Sequence, residues 1–385
     1  MTGHRLLLTA AVVLAATVLP TGTGHADVPA GACALPATNA HLSEGVPNLA
    51  GSAPSHGTLR ATMLFVDFPD APATDSTTSL RDQLLPGGPD WFATSSHGGL
   101  TLSVDAVTAR FHRMPRPSAD YGWRRGLTAE AHARYLNDAL AAAGRAVSFS
   151  GTHLLYVVPT RAAGEISFAA AYLNPLTAPD GTVITRSVTF GQDTAHWGSK
   201  VLNHETGHAL GLPDLYGYRG EVHRFVGGWD LMGLISGPGP DLLAWHKWKL
   251  NWLRHDQIGC VSAPGRYLDT LVPVSAPGGR KGVVVRTGAT TVLVAEARSR
   301  TGLDSAACAT GVLVYSVDTA VASGNGPVLV ADARPRSGGC GGHELNDAPF
   351  DVGGRFHDAR SNTTIDVVGR AGDDYRITIA HGVAP

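Results

Sequence analysis

A chain of 385 residues with 43% hydrophobic and 16% charged side chains has the composition of a globular protein, and is long enough for two domains. Its formal net charge of −2 gives no electrostatic footprint for nucleic acid or for an anionic membrane surface, so partners of those kinds are not expected.

Residues 1–26 carry the plan of a cleavable export signal: a basic lead ending at Arg5, an apolar run from Leu6 to Leu19, then small residues around His25 in Gly24-His25-Ala26. The run is shorter than the roughly 20 residues that span a bilayer, and Pro20 ends it. A secreted, extracellular protein without a membrane anchor is therefore expected. Residues 27–58, rich in Pro, Gly, Ala and Ser, read as an irregular N-terminal arm or a short activation segment.

Ordered patterning begins at Leu59. Strands are expected at Leu59–Val66, Leu100–Val107, Leu154–Val158, Ile166–Tyr172 and Val183–Phe190, with a helical turn at Pro89–Ser95 and a helix capped by Thr128 that runs to about Ala143. Asp193 or Thr194 is expected to cap a further helix, and Asp241–Trp252 reads as the closing helix of an α/β domain over 59–258, with Trp245, Trp248 and Trp252 as its packing face. Strands alternating with helices predict a twisted, mostly parallel sheet, with Ile166–Tyr172 as the antiparallel edge to which an extended peptide could add. Beyond Cys260 the runs are short and β-like, at 282–286, 291–296, 312–317, 328–331, 364–368 and 375–379, predicting an all-β C-terminal domain over 259–385.

Chemistry concentrates in His204-Glu205-Thr-Gly-His208-Ala-Leu-Gly211-Leu-Pro-Asp214. On a helix, residues four apart share a face, so His204 and His208 can hold one zinc ion through ring nitrogens. Glu205 then stands beside the metal, placed to take a proton from a water that the metal has made acidic. Gly211 suits the left-handed turn that ends such a helix and brings Asp214 back toward the metal. Asp214 either supplies the third protein ligand or serves as a turn carboxylate holding a neighbouring histidine. Downstream, Gly227-Gly-Trp-Asp-Leu-Met232-Gly233 places one of only four methionines in a glycine-flanked turn.

These residues, with Leu64-Phe-Val-Asp67-Phe-Pro-Asp70 and Ala244-Trp-His-Lys-Trp-Lys-Leu-Asn-Trp252, resemble the immune inhibitor A family of secreted metallopeptidases, within the metzincin group. The likeness covers roughly residues 59–255. It implies a metzincin-like catalytic domain, endopeptidase activity on protein or peptide substrates, Asp214 as third zinc ligand and Met232 as the apolar floor of the Met-turn. No tyrosine follows Met232 closely, so oxyanion candidates come from the loop beyond Asp214: Tyr216, Tyr218 or His223. The loop Leu234–Pro240 is expected to wall the substrate pocket. A monomer is expected.

Four cysteines fit an oxidising compartment. Three pairings are open; the favoured one joins Cys308 to Cys340 and Cys33 to Cys260, holding the arm on the side away from the zinc, whereas the rival makes Cys33 a latency switch on the metal. Calcium is a second candidate ion, at Asp67, Asp70, Asp75, Asp373 or Asp374, although no EF-hand-type loop is present and most of these suit turns. The rival function is a catalytically silent secreted binding protein with a structural zinc site. A serine hydrolase finds no support, since no G-x-S-x-G occurs.

Overall fold

A computed structural model describes residues 1, 30–85, 87–237 and 241–383. Most of the expected export signal, and Pro238 to Pro240 of the expected pocket wall, lie outside the described residues. Among the described residues no helix is long and apolar enough to cross a membrane.

The chain is mixed α/β. Strand β1 (Gly57–Asp67) opens the first sheet, which continues through β2 (Leu100–Ala106), β3 (His112–Arg113), β4 (Leu154–Pro159), β5 (Ala170–Tyr172) and, beyond the small hairpin of β6 (Leu176–Thr177) and β7 (Val183–Ile184), β8 (Arg186–Thr189). The order is β2-β1-β4-β8-β5, with β3 also pairing β1; every pairing is parallel except β5 with β8, which makes β5 an antiparallel edge.

Alternation along β1 and β4 explains why their sequences are apolar throughout. Leu59, Ala61, Met63 and Phe65 of β1, with Leu154, Tyr156 and Val158 of β4, enter one core, while Leu64, Val66, Leu155 and Val157 enter the other. Helix α1 (Thr77–Leu84) and α2 (Gly87–Ser95) cover the first face, and α3 (Ala129–Ala143) covers the second. In α3 the cap is Thr128, whose hydroxyl accepts the Ala131 N–H at 3.2 Å, and Tyr135, Leu136, Ala139, Leu140 and Ala143 form the buried stripe. Each of its large apolar side chains contributes roughly 1.5–3 kcal/mol by burial.

Several elements differ from the sequence-based expectation. The segment 163–169 is not strand. It is coiled in tight turns, with Ala163 N–H on Thr160 O and Ile166 N–H on Ala163 O, and the backbone of Phe168 lies where Gly191 has no side chain. The metal-motif helix does not start at Asp193 or Thr194. A short α4 (Thr194–Trp197) stops at Gly198, whose φ of 49° turns the chain, and α5 (Ser199–Ala209) begins afresh. The closing helix is short, α6 (Ala244–Lys249), and buried on all sides, Lys247 and Lys249 included.

After α6 come nine further strands, joined among the described residues by turns and 3-10 helices only: β9 (Ile258–Val261), β10 (Gly265–Leu271), β11 (Gly282–Arg286), β12 (Thr291–Arg298), β13 (Gly311–Asp318), β14 (Val328–Val330), β15 (Arg355–Asp358), β16 (Thr363–Ala371) and β17 (Asp374–His381). They form a sheet of order β14-β13-β12-β11-β9 and an antiparallel one of order β10-β17-β16-β15. Val283, Val285, Leu293, Ala295, Val312 and Val314 face the second sheet, while Val284, Val292, Val294, Leu313 and Tyr315 join the core that holds Phe65 and Trp245. One apolar core thus runs without a break across residue 258.

The cysteines pair as Cys33–Cys260 and Cys308–Cys340, and none is free. The cysteine-switch arrangement of Cys33 is therefore not present. The arm does not, however, stay on the far side of the motif helix. Ala53 N–H bonds Ala209 O at 2.9 Å, Asn48 donates to Leu210 O, and His41 and Leu42 reach the cleft in front of Glu205.

Candidate metal centre

Helix α5 lies against β4, with the hydroxyls of Thr206 and Tyr156 2.7 Å apart. The helix ends where Gly211, at φ 99°, reverses the chain; a β-carbon there would lie 2.5 Å from Asn48 Oδ1 and 2.6 Å from Ser52 Oγ, so only glycine admits the arm.

Both motif histidines are held from behind. His204 Nδ1 donates to the carbonyl of Leu231 at 3.1 Å and His208 Nδ1 to that of Leu212 at 2.8 Å, which fixes both rings with Nε2 facing the same point. Asp214 completes that point: its Oδ1 is 3.1 Å from His204 Nε2 and 3.2 Å from His208 Nε2. Two ligands of a tetrahedral ion at about 2.0–2.1 Å stand about 3.3 Å apart, so these three atoms have the spacing and chemistry of a two-nitrogen, one-oxygen ligand set.

The donors of His204, Glu205 and His208 also lie within 4.8 Å of one another, a group that could hold a metal ion. Asp214 meets both Nε2 atoms more closely than this, and Glu205 lines the cleft beside them.

Electrostatics follow from burial and from these contacts. Burial opposes charge on Asp214, but the charge of His208 and hydrogen bonds from both histidines outweigh it and hold the carboxyl well below its ordinary range. Burial likewise opposes charge on His208, yet Asp214 and Glu205 push it up to about 9. Burial raises Glu205 against the opposing fields of His208 and His204. A carboxyl raised in this way is a better proton carrier near neutrality than an exposed one.

The turn around Met232 packs against α5, with the Met232 sulfur at Gly207. Asp230 organises it, accepting from Met232 N–H and Leu243 N–H, each at 2.8 Å, and from His246 Nδ1 at 2.8 Å. Leu231 O holds His204, and Met232 O accepts the Leu215 N–H at 2.9 Å, beside Asp214. The other ring nitrogen of His246 meets Glu44 of the arm at 2.8 Å, and Lys249 meets the same carboxylate at 3.3 Å, all three side chains being fully buried. Arg298 of β12 donates to Trp229 O at 2.8 Å. These supports leave no local sign in the sequence, because Glu44 stands 202 residues from His246.

A cleft of about 770 Å³ opens at the site, lined by Glu205, His208, Asp214 and Tyr216 and by Ala169–Ala171 at the edge of the sheet. Tyr216 stacks on His204 at 6.1 Å between ring centroids, and among the described residues its hydroxyl has no hydrogen-bond partner. Tyr218 lines the cleft, but its hydroxyl is turned to Asp214 Oδ2 at 2.6 Å. His223 lies outside the lining, its Nδ1 on Gly233 O at 3.1 Å and its ring on His343.

Comparison with protein-family models and with curated proteins finds no match to this chain.

Four of the five aspartates offered for calcium accept from protein donors. Asp67 pairs with Arg113 at 2.7 Å, Asp70 accepts the N–H and hydroxyl of Ser118, Asp75 accepts from Thr160 and Arg161, and Asp373 pairs with Arg370 at 2.8 Å. Among the described residues, the histidine–glutamate–histidine group on α5 is the one metal-type cluster found.

Proposed function

We propose that this chain is a secreted zinc-dependent endopeptidase of the immune inhibitor A-like, metzincin type, with residues 59–258 as its catalytic part and 259–385 as an all-β part that braces it. The observation that carries the reading is the convergence of His204 Nε2, His208 Nε2 and Asp214 Oδ1 at 3.1–3.2 Å, with Glu205 beside them in an open cleft. Two imidazoles and a carboxylate suit zinc, and three protein ligands leave a position for water, as catalytic sites do. A structural zinc in a silent binding protein would call for a fourth protein ligand and would have no use for a carboxylic acid held beside it.

Zinc held there would make a water acidic and polarise a carbonyl. Glu205, as the carboxylate, accepts the proton of the attacking water and returns it to the leaving amine, and burial raises its affinity for that proton. Tyr216 is the donor we assign to the developing oxyanion: burial raises its hydroxyl pKa, so it keeps its proton, and that proton is not committed elsewhere among the described residues. Tyr218 is less suited, since its proton is engaged by Asp214. The edge strand β5 supplies unpaired backbone groups to an extended peptide, and the small side chains of Ala169–Ala171 leave it room. The two disulfides fit an oxidising, extracellular setting.

The test is metal content together with casein hydrolysis, before and after a chelator. About one zinc per chain, loss of hydrolysis on chelation and recovery on adding zinc are expected; metal-free protein with undiminished hydrolysis overturns the reading.

A further inference from the structure

We propose that Ser323 and Gly324, in the loop after β13, are positioning residues of the metal centre, acting with Tyr218 to clamp Asp214; this rests on the reading of Asp214 as third ligand. Asp214 offers Oδ1 to the two histidines, so its behaviour as a ligand depends on what holds Oδ2. That oxygen accepts the Tyr218 hydroxyl at 2.6 Å. Ser323 Oγ accepts the backbone N–H of Asp214 at 2.9 Å and lies 3.1 Å from the Tyr218 oxygen.

Tyr218 commits its proton to the carboxylate, so the Ser323 hydroxyl donates either to the Tyr218 oxygen at 3.1 Å or directly to Asp214 Oδ2 at 3.5 Å, and in both arrangements the two hydroxyls converge on Oδ2. Such a network polarises its members, and the carboxylate it ends on is buried. It keeps Oδ2 occupied and leaves Oδ1 for the histidine side, favouring a one-oxygen ligand.

The backbone fixes the same relationship independently. Gly324 N–H donates to Asp214 O at 3.0 Å and Gly324 O accepts Tyr218 N–H at 3.1 Å, joining the two loops on both sides of the clamp. Gly324 has φ +73°, and a β-carbon on it would lie 2.4 Å from ring carbons of Tyr218, so the ring occupies the place of the absent side chain. Ser323 is buried, and its own N–H donates to His41 O at 3.0 Å, so the arm holds the loop from the other side. Ser323, 109 positions beyond Asp214, thereby completes its environment with Gly324.

The experiment measures zinc affinity of the metal-free full-length protein by competition with a chromophoric chelator. Tyr218 is 56% exposed, so Tyr218→Phe removes one hydroxyl without a core defect. Tyr218→Phe and Ser323→Ala are each expected to weaken zinc binding by about 10–100-fold, the usual effect of losing a partner that orients a ligand. In an Asp214→Ala background the same changes are expected to cost less than about twofold, because they act through that carboxylate. The clamp is overturned if both variants bind zinc as wild type does while Asp214→Ala binds weakly, or if they weaken binding equally without Asp214. Wild-type affinity in Asp214→Ala itself overturns the third-ligand reading and the clamp with it.

Discussion

The sulfur of Met232 lies 2.7 Å from where a β-carbon on Gly207 would stand. Gly207 sits on α5 between the two motif histidines, so the Met232 turn touches the metal helix backbone at the one position there that carries no side chain. Met232 is fully buried, which leaves it little room to retreat. Gly207→Ala is expected to destabilise the protein by about 1–3 kcal/mol through overpacking and to weaken zinc binding. Urea unfolding of the metal-free protein, with chelator competition, checks both; unchanged stability and affinity would show that Met232 does not set the helix position.

The buried Glu44–His246–Asp230 chain gives stability a pH signature. Burial alone would lower the His246 pKa, but the two carboxylates outweigh it and push it up to about 10. The folded value exceeds the unfolded one of about 6.5, so the contribution is complete below about pH 6.5 and is lost as pH rises through 10. The difference in unfolding free energy between wild type and His246→Gln should therefore fall from pH 6.5 to 10, with a slope approaching about 1.4 kcal/mol per pH unit. A difference that is flat across that window would contradict a charged His246.

The Cys33–Cys260 bond ties the arm across 227 residues of chain. Loop closure on that scale restricts the unfolded state enough to stabilise by about 5 kcal/mol. The double replacement Cys33→Ser with Cys260→Ser is expected to lower the urea midpoint and to leave hydrolysis no higher than wild type, since His41 and Leu42 of the arm are cleft walls. A rise in hydrolysis on removing the bond would show the arm to be inhibitory.

Much of the site was legible because its geometry is local. The i, i+4 spacing of His204 and His208, the neighbouring Glu205 and the turn at Gly211 all follow from helix geometry. The parallel strands β1, β2 and β4 were legible as apolar runs between turn signals. Boundaries failed where backbone contacts decide them, as at Gly198 and at Phe168 against Gly191. Helix α1 is mostly polar and carries little apolar periodicity, although Ser76 caps it by accepting Ser79 N–H at 3.1 Å. The supports of the site were beyond local reading: Lys247 and Lys249 look like surface residues until their partners Asp241 and Glu44 are brought in by the fold. Ser323 carries no motif at all.

In the proposed mechanism Glu205 moves protons and does not hold the metal. Glu205→Ala, purified with wild type, should retain about one zinc per chain and a wild-type unfolding midpoint while peptide hydrolysis falls by at least about 100-fold, the scale of a lost general base. Near wild-type hydrolysis of casein by a zinc-loaded Glu205→Ala protein would contradict it.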